Sequence, residues 1–395
     1  TMQRRIGEGS SCHCPKRVTL SILLAASWLL AEPSLAGSDS SPTSDPVSIV
    51  AYLPEWRYEG ANWETISEHS THLLLFSLEM EPNGRITAHD RFPRKELFDQ
   101  AREATRRHGT ALMVCFGGNG RSAGFSPMVR SKKGRTRFVQ ELGNFIAKYD
   151  LDGVDYNWEY PGYRFGQGYL SEEEVNADYK GLSKLVFSTR AMFAKHKWNS
   201  KVITMAYYPD GRQEQLLKEH RIAEVVDLLH MMSYDQGGGH HSSTEYGKRS
   251  ADQGKGILPP LQLTMGVPFY GRHSRTGEWT TYEDLVQKHW PLDPKVDSVA
   301  AAGQGSIGFN GVDTIREKTL YALKQGLGGV MIWEVGQDCR LVPVVHGSTT
   351  HARTCPEDGA SLLLSISSAL TAAKRQQMRT AGWDASQLTD HHTEL

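Results

Sequence analysis

Eight short β-rich runs with room for a crossover between successive ones limit most strongly what this chain can fold into. They are SIVAY (48–52), HLLLFSL (72–78), ALMVCFGG (111–118), GVDYNWE (153–159), VITMAYY (202–208), DLLHMMSY (227–234), LQLTMGV (261–267) and GVMIW (329–333). Helical patterns lie between most of them. One covers Lys95–His108; another, at 136–148, places Phe138, Leu142, Phe145 and Ile146 at helical spacing. A long one at 172–196 carries Leu182, Leu185, Val186 and Phe193 on one stripe, and one at 314–325 ends before Gly326 and Gly328, which suit its cap. A last pattern at 361–376 reads as a closing helix. The reading is an α/β fold, a (β/α)8 TIM barrel in a single domain over 47–376. About 60 residues separate the seventh and eighth strands, enough for a crossover helix and a small insertion near 279–311. A doubly wound open sheet is the runner-up. Its Gly-rich phosphate loop is missing, because the first strand ends in Leu53-Pro54-Glu55-Trp56.

The ends of the chain read differently. Lys16-Arg17 precede an apolar run from Val18 to Ala31, and Ser34-Leu35-Ala36 offers small residues for cleavage. Residues 1–36 therefore read as a secretory signal peptide, and a secreted product is expected. The run is shorter than the ~20 residues of a spanning helix, which places a signal anchor second. Residues 37–46 are rich in Ser, Pro and Asp and read as a linker, and 377–395 as a disordered tail. A formal charge of −1 gives no basic surface for nucleic acid and no polybasic membrane tether. A monomer without membrane attachment after signal cleavage is expected. Of five cysteines, Cys12 and Cys14 lie in the signal and Cys115 in an apolar strand. Cys339 and Cys355 are placed to pair in an oxidising compartment. Neither CxxC spacing nor a zinc helix occurs, and His240-His241 in a glycine-rich loop is weak evidence for metal; no metal and no cofactor are expected.

The chemistry concentrates in LDGVDYNWEYPG, 151–162. Side chains alternate along a strand, so Asp155, Asn157 and Glu159 share one face while Val154, Tyr156 and Trp158 take the other. Two carboxylates and an amide in a row on a buried face are costly unless they do chemistry. Barrels of this type gather functional groups at the C-terminal ends of their strands. Tyr52 and Trp56 end the first strand, Tyr160 follows the fourth, Met232-Ser233-Tyr234-Asp235 ends the sixth, Arg272 follows the seventh, and Trp333 ends the eighth. Aromatic faces stack on sugar rings, and a carboxyl can protonate a glycosidic oxygen. Trp158 points away from the acidic face and reads as core. Trp56 and Trp279 stand open between cleft and surface.

These residues carry a resemblance. The fourth strand resembles the DGxDxDxE signature of glycoside hydrolase family 18, the chitinases and their relatives. SIVAYLPEW, CFGG, MSYD, GVPFYGR and GVMIWE resemble other strands of that family, so the likeness runs in register from about Val47 to the closing helix. It implies a substrate-assisted retaining mechanism on β-1,4-linked N-acetylglucosamine, in chitin or its oligosaccharides. Glu159 is then the general acid, and the acetamido oxygen of the sugar is the nucleophile. Tyr234 and Asp235 match the pair that holds the acetamide and the flanking sugar, and Trp333 matches the floor beneath the reacting ring. Tyr52, Trp56, Tyr160, Met232 and Arg272 are candidate substrate contacts. Asp155 is expected to tune the site through Asn157.

Two positions depart from the pattern. Asn157 stands where the family has Asp. It keeps an acceptor for the acetamido N–H but supplies no negative charge, and it is expected to lower the Glu159 pKa. Cys115 replaces the Ser of SxGG. Besides a secreted, endo-acting chitinase, two readings remain open. One is an oligosaccharide-binding lectin with weak or no turnover; the other is an endo-acting enzyme on the N-acetylglucosamine core of glycoproteins. The small insertion predicts a shallow cleft.

Overall fold

A computed structural model describes residues 47–237, 239–301, 303–343, 351–356 and 360–380. The segments read as signal (1–36) and linker (37–46), and the tail beyond Thr380, lie outside the described residues. Eight parallel strands form the centre: β1 (Ser48–Pro54), β2 (His72–Met80), β3 (Ala111–Gly117), β4 (Gly153–Asn157), β5 (Val202–Tyr207), β6 (Leu228–Met231), β7 (Leu263–Pro268) and β8 (Gly329–Trp333). Each pairs with the next, and β1 pairs with both β2 and β8, which closes the ring. This is the (β/α)8 barrel expected from the strand spacing.

Strand alternation divides the core in two. Outward residues such as Leu53, Leu75, Val114, Val154, Ile203, Val267 and Ile332 pack under the helical jacket in one large apolar cluster. Inward residues Val50, Tyr52, Leu74, Phe76, Met113, Cys115, Ala206 and Met331 fill the barrel. A polar belt of Asp155, Thr204, His230 and Thr264 joins the inward set, and each of these is fully buried. Cys115, Asp155 and Thr204 are register partners on β3, β4 and β5.

The functional strands end earlier than their apolar runs suggest. β4 stops at Asn157, because its β3 partner stops at Gly117 and the chain then turns through Gly118 at φ +104. Glu159 therefore stands just past the strand instead of on it. A Cβ on Gly118 would lie 2.3 Å from the Phe76 ring, and one on Gly117 2.4 Å from the Asn157 carbonyl oxygen. That close approach explains the glycine pair of CFGG. β6 likewise stops at Met231, leaving Met232 to Asp235 in the loop at the barrel mouth.

Helices Lys95–His108, Lys132–Tyr149, Glu172–Lys195 and Val312–Lys324 occupy the expected crossovers. Helices Trp63–Glu68, Phe125–Arg130, Arg212–Glu219 and Thr244–Lys255 were not legible, being too short or too polar for an apolar stripe. The closing helix Leu362–Thr380 runs four residues into the segment read as tail. Asp338 accepts hydrogen bonds from the Leu362 and Leu363 amides and from Ser361 at its start. Cys339 and Cys355 are joined in a disulfide with a Cα–Cα distance of 5.3 Å. The insertion after β7 begins at Tyr270, earlier than 279. Strands Tyr270–His273, Trp279–Thr281, Ser298–Ala300 and Ser306–Gly308 make a four-stranded antiparallel sheet, with helix Tyr282–His289 within it. Among the described residues no helix is long and apolar enough to cross a membrane.

Candidate active site

At the C-terminal mouth of the barrel a cleft is lined by Glu159, Asn157, Tyr160, Tyr234, Asp235, Met232, Tyr52, Trp56 and Trp333, with Phe76, Asn119, Arg121, Ala206, Tyr208, Trp279 and Met331 completing the wall. All but two of the residues picked from the sequence thus meet on one surface. The two exceptions are Asp155, which lies beneath it, and Arg272, which stands behind Asp235.

Asp155 is buried inside the barrel and would be costly there without donors. Tyr52 Oη donates to its Oδ2 at 2.9 Å and Thr204 Oγ1 to its Oδ1 at 2.7 Å. Burial pushes its pKa up, and hydrogen bonds from Thr204, Cys115 and Tyr52 oppose that rise. His230 Nε2 approaches it at 3.8 Å, but burial holds that imidazole down at about 3, so it stays neutral at physiological pH. Cys115 thus serves Asp155 from below the cleft. Tyr52, a candidate sugar contact, spends its hydroxyl on Asp155 and offers the cleft only part of its ring.

Asn157 is nearly fully buried, and its Oδ1 has no hydrogen-bond partner among the described residues. An unpaired buried acceptor of this kind costs roughly 1–3 kcal/mol until a donor arrives. Glu159 lies beyond it, with its amide donating to Ser122 Oγ at 3.1 Å. Burial first, and the charge of Asp235 second, raise the Glu159 pKa to about 7. Hydrogen bonds from the Asn119 backbone and the Asn157 side chain work the other way. The Asn157 hydrogen bond thus pulls the Glu159 pKa down, but burial and Asp235 outweigh it. The net shift is upward, so the carboxyl holds its proton well above the ordinary carboxylate range.

Asp235 has its own clamp. Tyr270 Oη and Arg272 Nη1 each donate to its Oδ1 at 2.8 Å, and His241 Nδ1 lies 3.6 Å away. Burial raises its pKa, but hydrogen bonds from His241, Tyr270 and Arg272 overcome that and hold the carboxyl below its ordinary value. Arg272 is therefore a partner of Asp235, not a wall of the cleft. Among the described residues Tyr234 Oη finds only the Met331 sulfur at 3.7 Å, a weak acceptor. The Trp333 indole is boxed by Tyr52 at 5.6 Å and Phe76 at 4.6 Å between ring centroids.

The two tryptophans left open by the sequence both line the cleft and are about half exposed. Trp279 stacks on Tyr270 at 4.7 Å, so the insertion supplies one wall. Trp56 packs edge-on to Phe76, with the Arg121 guanidinium over its ring at 5.5 Å. Trp158 is core, stacked on Phe125 at 5.0 Å. Phe76, Asn119, Arg121 and Tyr208 had no motif to flag them; the position of Asn119 and Arg121 just beyond β3 and of Tyr208 just beyond β5 was the available signal, while Phe76 lies inside β2 on its inward face. His240 Nε2 is bonded to the carbonyls of Asp297 and Phe309, tying its loop to the insertion. Among the described residues no group of three or more His, Cys, Asp or Glu is placed to hold a metal.

Comparison with known proteins gives the site a lineage. Relatives include probable chitinase 2 of Drosophila melanogaster, 28% identical over 58% of this chain and 56% of that protein. Class V chitinase CHIT5 of Lotus japonicus is 23% identical over 79% of this chain and 87% of its own length. The chain spans about half or less of the first curated relatives it matches. Among solved structures, the chitinase ChiB of Flavobacterium johnsoniae superposes with a TM-score of 0.62 at 25% identity, over 83% of this chain and 95% of that one. The Group IV chitinase of Ostrinia furnacalis shares the fold with a TM-score of 0.63 at 20% identity, over 86% of this chain and all of that one. The family model for glycosyl hydrolases family 18 matches residues 48–338, from β1 through the end of β8 and Asp338, and the chain belongs to that family.

Proposed function

We propose that this protein is a glycosidase that cleaves β-1,4-linked N-acetylglucosamine with retention, in chitin or its oligosaccharides. Glu159 protonates the leaving oxygen, and its pKa of about 7 suits that task. The acetamido carbonyl of the substrate attacks its own anomeric carbon, so no second carboxylate nucleophile is needed. One observation carries the reading: the Asn157 Oδ1 acceptor is buried and unpartnered among the described residues, in the same cleft as a Tyr234 hydroxyl that meets only a sulfur among those residues. An acetamide supplies the N–H for the first and the carbonyl for the second. Asp155, held by Tyr52 and Thr204, is a fixed hydrogen-bonding group under Asn157, and Trp333 lies under the sugar.

The second reading, a lectin with little turnover, is favoured by Asn157 itself, which brings no charge to stabilise the positive sugar ring in the transition state. Incubating wild type, Glu159→Gln and Asn157→Asp with N-acetylglucosamine oligomers, with binding measured alongside, separates the two. The glycosidase reading requires wild type to turn over much faster than Glu159→Gln. Equal rates with retained binding would establish the lectin. Secretion, endo action and a monomeric state complete the proposal. Secretion rests on residues 1–36 and is checked by locating the expressed full chain and sequencing its N-terminus. Endo action is checked by the products formed from a hexamer, and the monomeric state by sedimentation.

A further inference from the structure

Phe165 is 54% exposed, as open as the cleft residues Trp56 and Trp279, yet it lies outside the cleft wall. It sits at the tip of a hairpin in which Tyr163–Arg164 pairs with Gly168–Tyr169. The tip is a tight turn closed by the Gln167 amide on the Arg164 carbonyl at 3.0 Å, with Gly166 at φ +78 in its third position. Such a turn needs glycine there and leaves the second position, Phe165, pointing outward from the turn. The hairpin is anchored at its foot. Tyr169 Oη donates to Asp210 Oδ2 at 2.6 Å, and the Arg212 guanidinium lies 4.1 Å from the Tyr169 ring centre, so the loop after β5 holds it.

The rings form a path out of the cleft. Tyr208 and Tyr160 line the cleft with centroids 6.0 Å apart, and Tyr160 is 5.7 Å from Phe165 and 5.8 Å from Tyr163. Direction follows from strand order. β8 and β4 are four strands apart in a ring of eight, hence opposite each other. Trp333 on β8, with Phe76 and Trp56 beside it on the β1–β2 side, supports the reacting ring; Glu159 after β4 reaches the oxygen that leaves. A linear chain lying over Trp333 must pass Glu159 to continue, and it then meets Tyr160, Tyr208 and the hairpin.

We propose that Phe165, backed by Tyr160 and Tyr163, is a stacking platform for a hexosamine ring on the leaving side of the scissile bond, and that it sets a preference for longer chains. This rests on the glycosidase or lectin reading of the same cleft. An exposed aromatic face held by neighbouring rings stacks a sugar ring at little ordering cost.

The test compares two substrates: an N-acetylglucosamine hexamer, and an aryl glycoside of the dimer whose phenol leaving group ends before the hairpin. Phe165→Ala should raise KM for the hexamer about tenfold, equivalent to about 1.4 kcal/mol, and leave kcat/KM for the aryl glycoside unchanged. Phe165→Trp should restore the hexamer KM. No change with the hexamer, or an equal loss on both substrates, overturns the assignment while leaving the glycosidase reading intact. If wild type binds without turnover, affinities for the hexamer and the dimer are compared in the same variants: a loss confined to the hexamer supports the platform, and equal affinities overturn it. Should wild type neither cleave nor bind any oligomer, the reading of the cleft falls and the platform falls with it.

Discussion

Asn157→Asp is the most informative single change. It places a carboxyl where the amide now stands, two residues before Glu159 and in hydrogen-bonding contact with its side chain. Two charges about 4 Å apart interact by about 4 kcal/mol at an effective dielectric of ~20 and by about 1 kcal/mol in bulk water. At about 1.36 kcal/mol per pKa unit this raises the Glu159 pKa by about 0.7 to 3 units. The starting value is already about 7, set by burial and by Asp235. The sign follows from the role: a general acid works protonated, so activity is lost as pH rises through its pKa. The basic limb of kcat/KM against pH must therefore move to higher pH in the variant. The new carboxyl is buried near Asp155 and shares its titration with Glu159, so the limb reports the pair and not either group alone. The same negative charge faces the positive ring of the transition state, and kcat should rise by about 10²–10³-fold, the roughly 2.7–4 kcal/mol carried by one well-placed electrostatic group. The assay is hydrolysis of an N-acetylglucosamine oligomer from acid to alkaline pH, with Glu159→Gln as the blank. A basic limb that moves toward acid, or stays in place with kcat unchanged, refutes the coupling between these two positions.

Other perturbations test the frame around the site. Tyr52→Phe removes one of the two oxygen donors on buried Asp155; urea unfolding should show a loss of about 1–3 kcal/mol, and an unchanged midpoint would mean that Asp155 is satisfied without it. Replacing Cys339 and Cys355 together by Ala opens the loop they close and should cost about 3 kcal/mol by the same assay at a similar m-value. Lys318 is fully buried, with Nζ on Ser242 O, Ser242 Oγ and Asn310 Oδ1, and burial lowers its pKa from 10.5 to about 7. The unfolded chain then binds the extra proton between those values, so this residue's contribution to stability grows as pH rises through that window and is lost as pH falls toward 7. Lys318→Met should flatten that part of the pH dependence relative to wild type, read from urea midpoints at neutral and alkaline pH.

Much of the architecture was open to a reader of residues. The eight strands are short apolar runs whose period and spacing survive in one dimension, and the GVDYNWE run announced its polar row because polar groups are rare in such a strand. What the runs concealed was where each strand stops. Glu159 and Tyr234 continue apolar or aromatic sequence, so nothing local marks the end of the ladder; the end of β4 is imposed by its neighbour β3, whose glycines turn beneath Phe76. Helices such as Thr244–Lys255 escaped for the opposite reason, since tertiary contacts stabilise them without a long apolar stripe.

The sequence by itself determined the order of strands and crossovers, the acid at 159, and the amide at 157 in place of a second acid, because these depend on residue type and period along the chain. Only the tertiary structure decided the partnerships. Tyr52 from β1 and Thr204 from β5 converge on Asp155 of β4, Arg272 turns to Asp235 instead of the cleft, Trp279 arrives from the insertion, and burial carries the Glu159 pKa upward against the pull of Asn157. Those outcomes come from groups distant in sequence sharing one low-dielectric space, and neither a distance nor a desolvation cost exists until the barrel has closed.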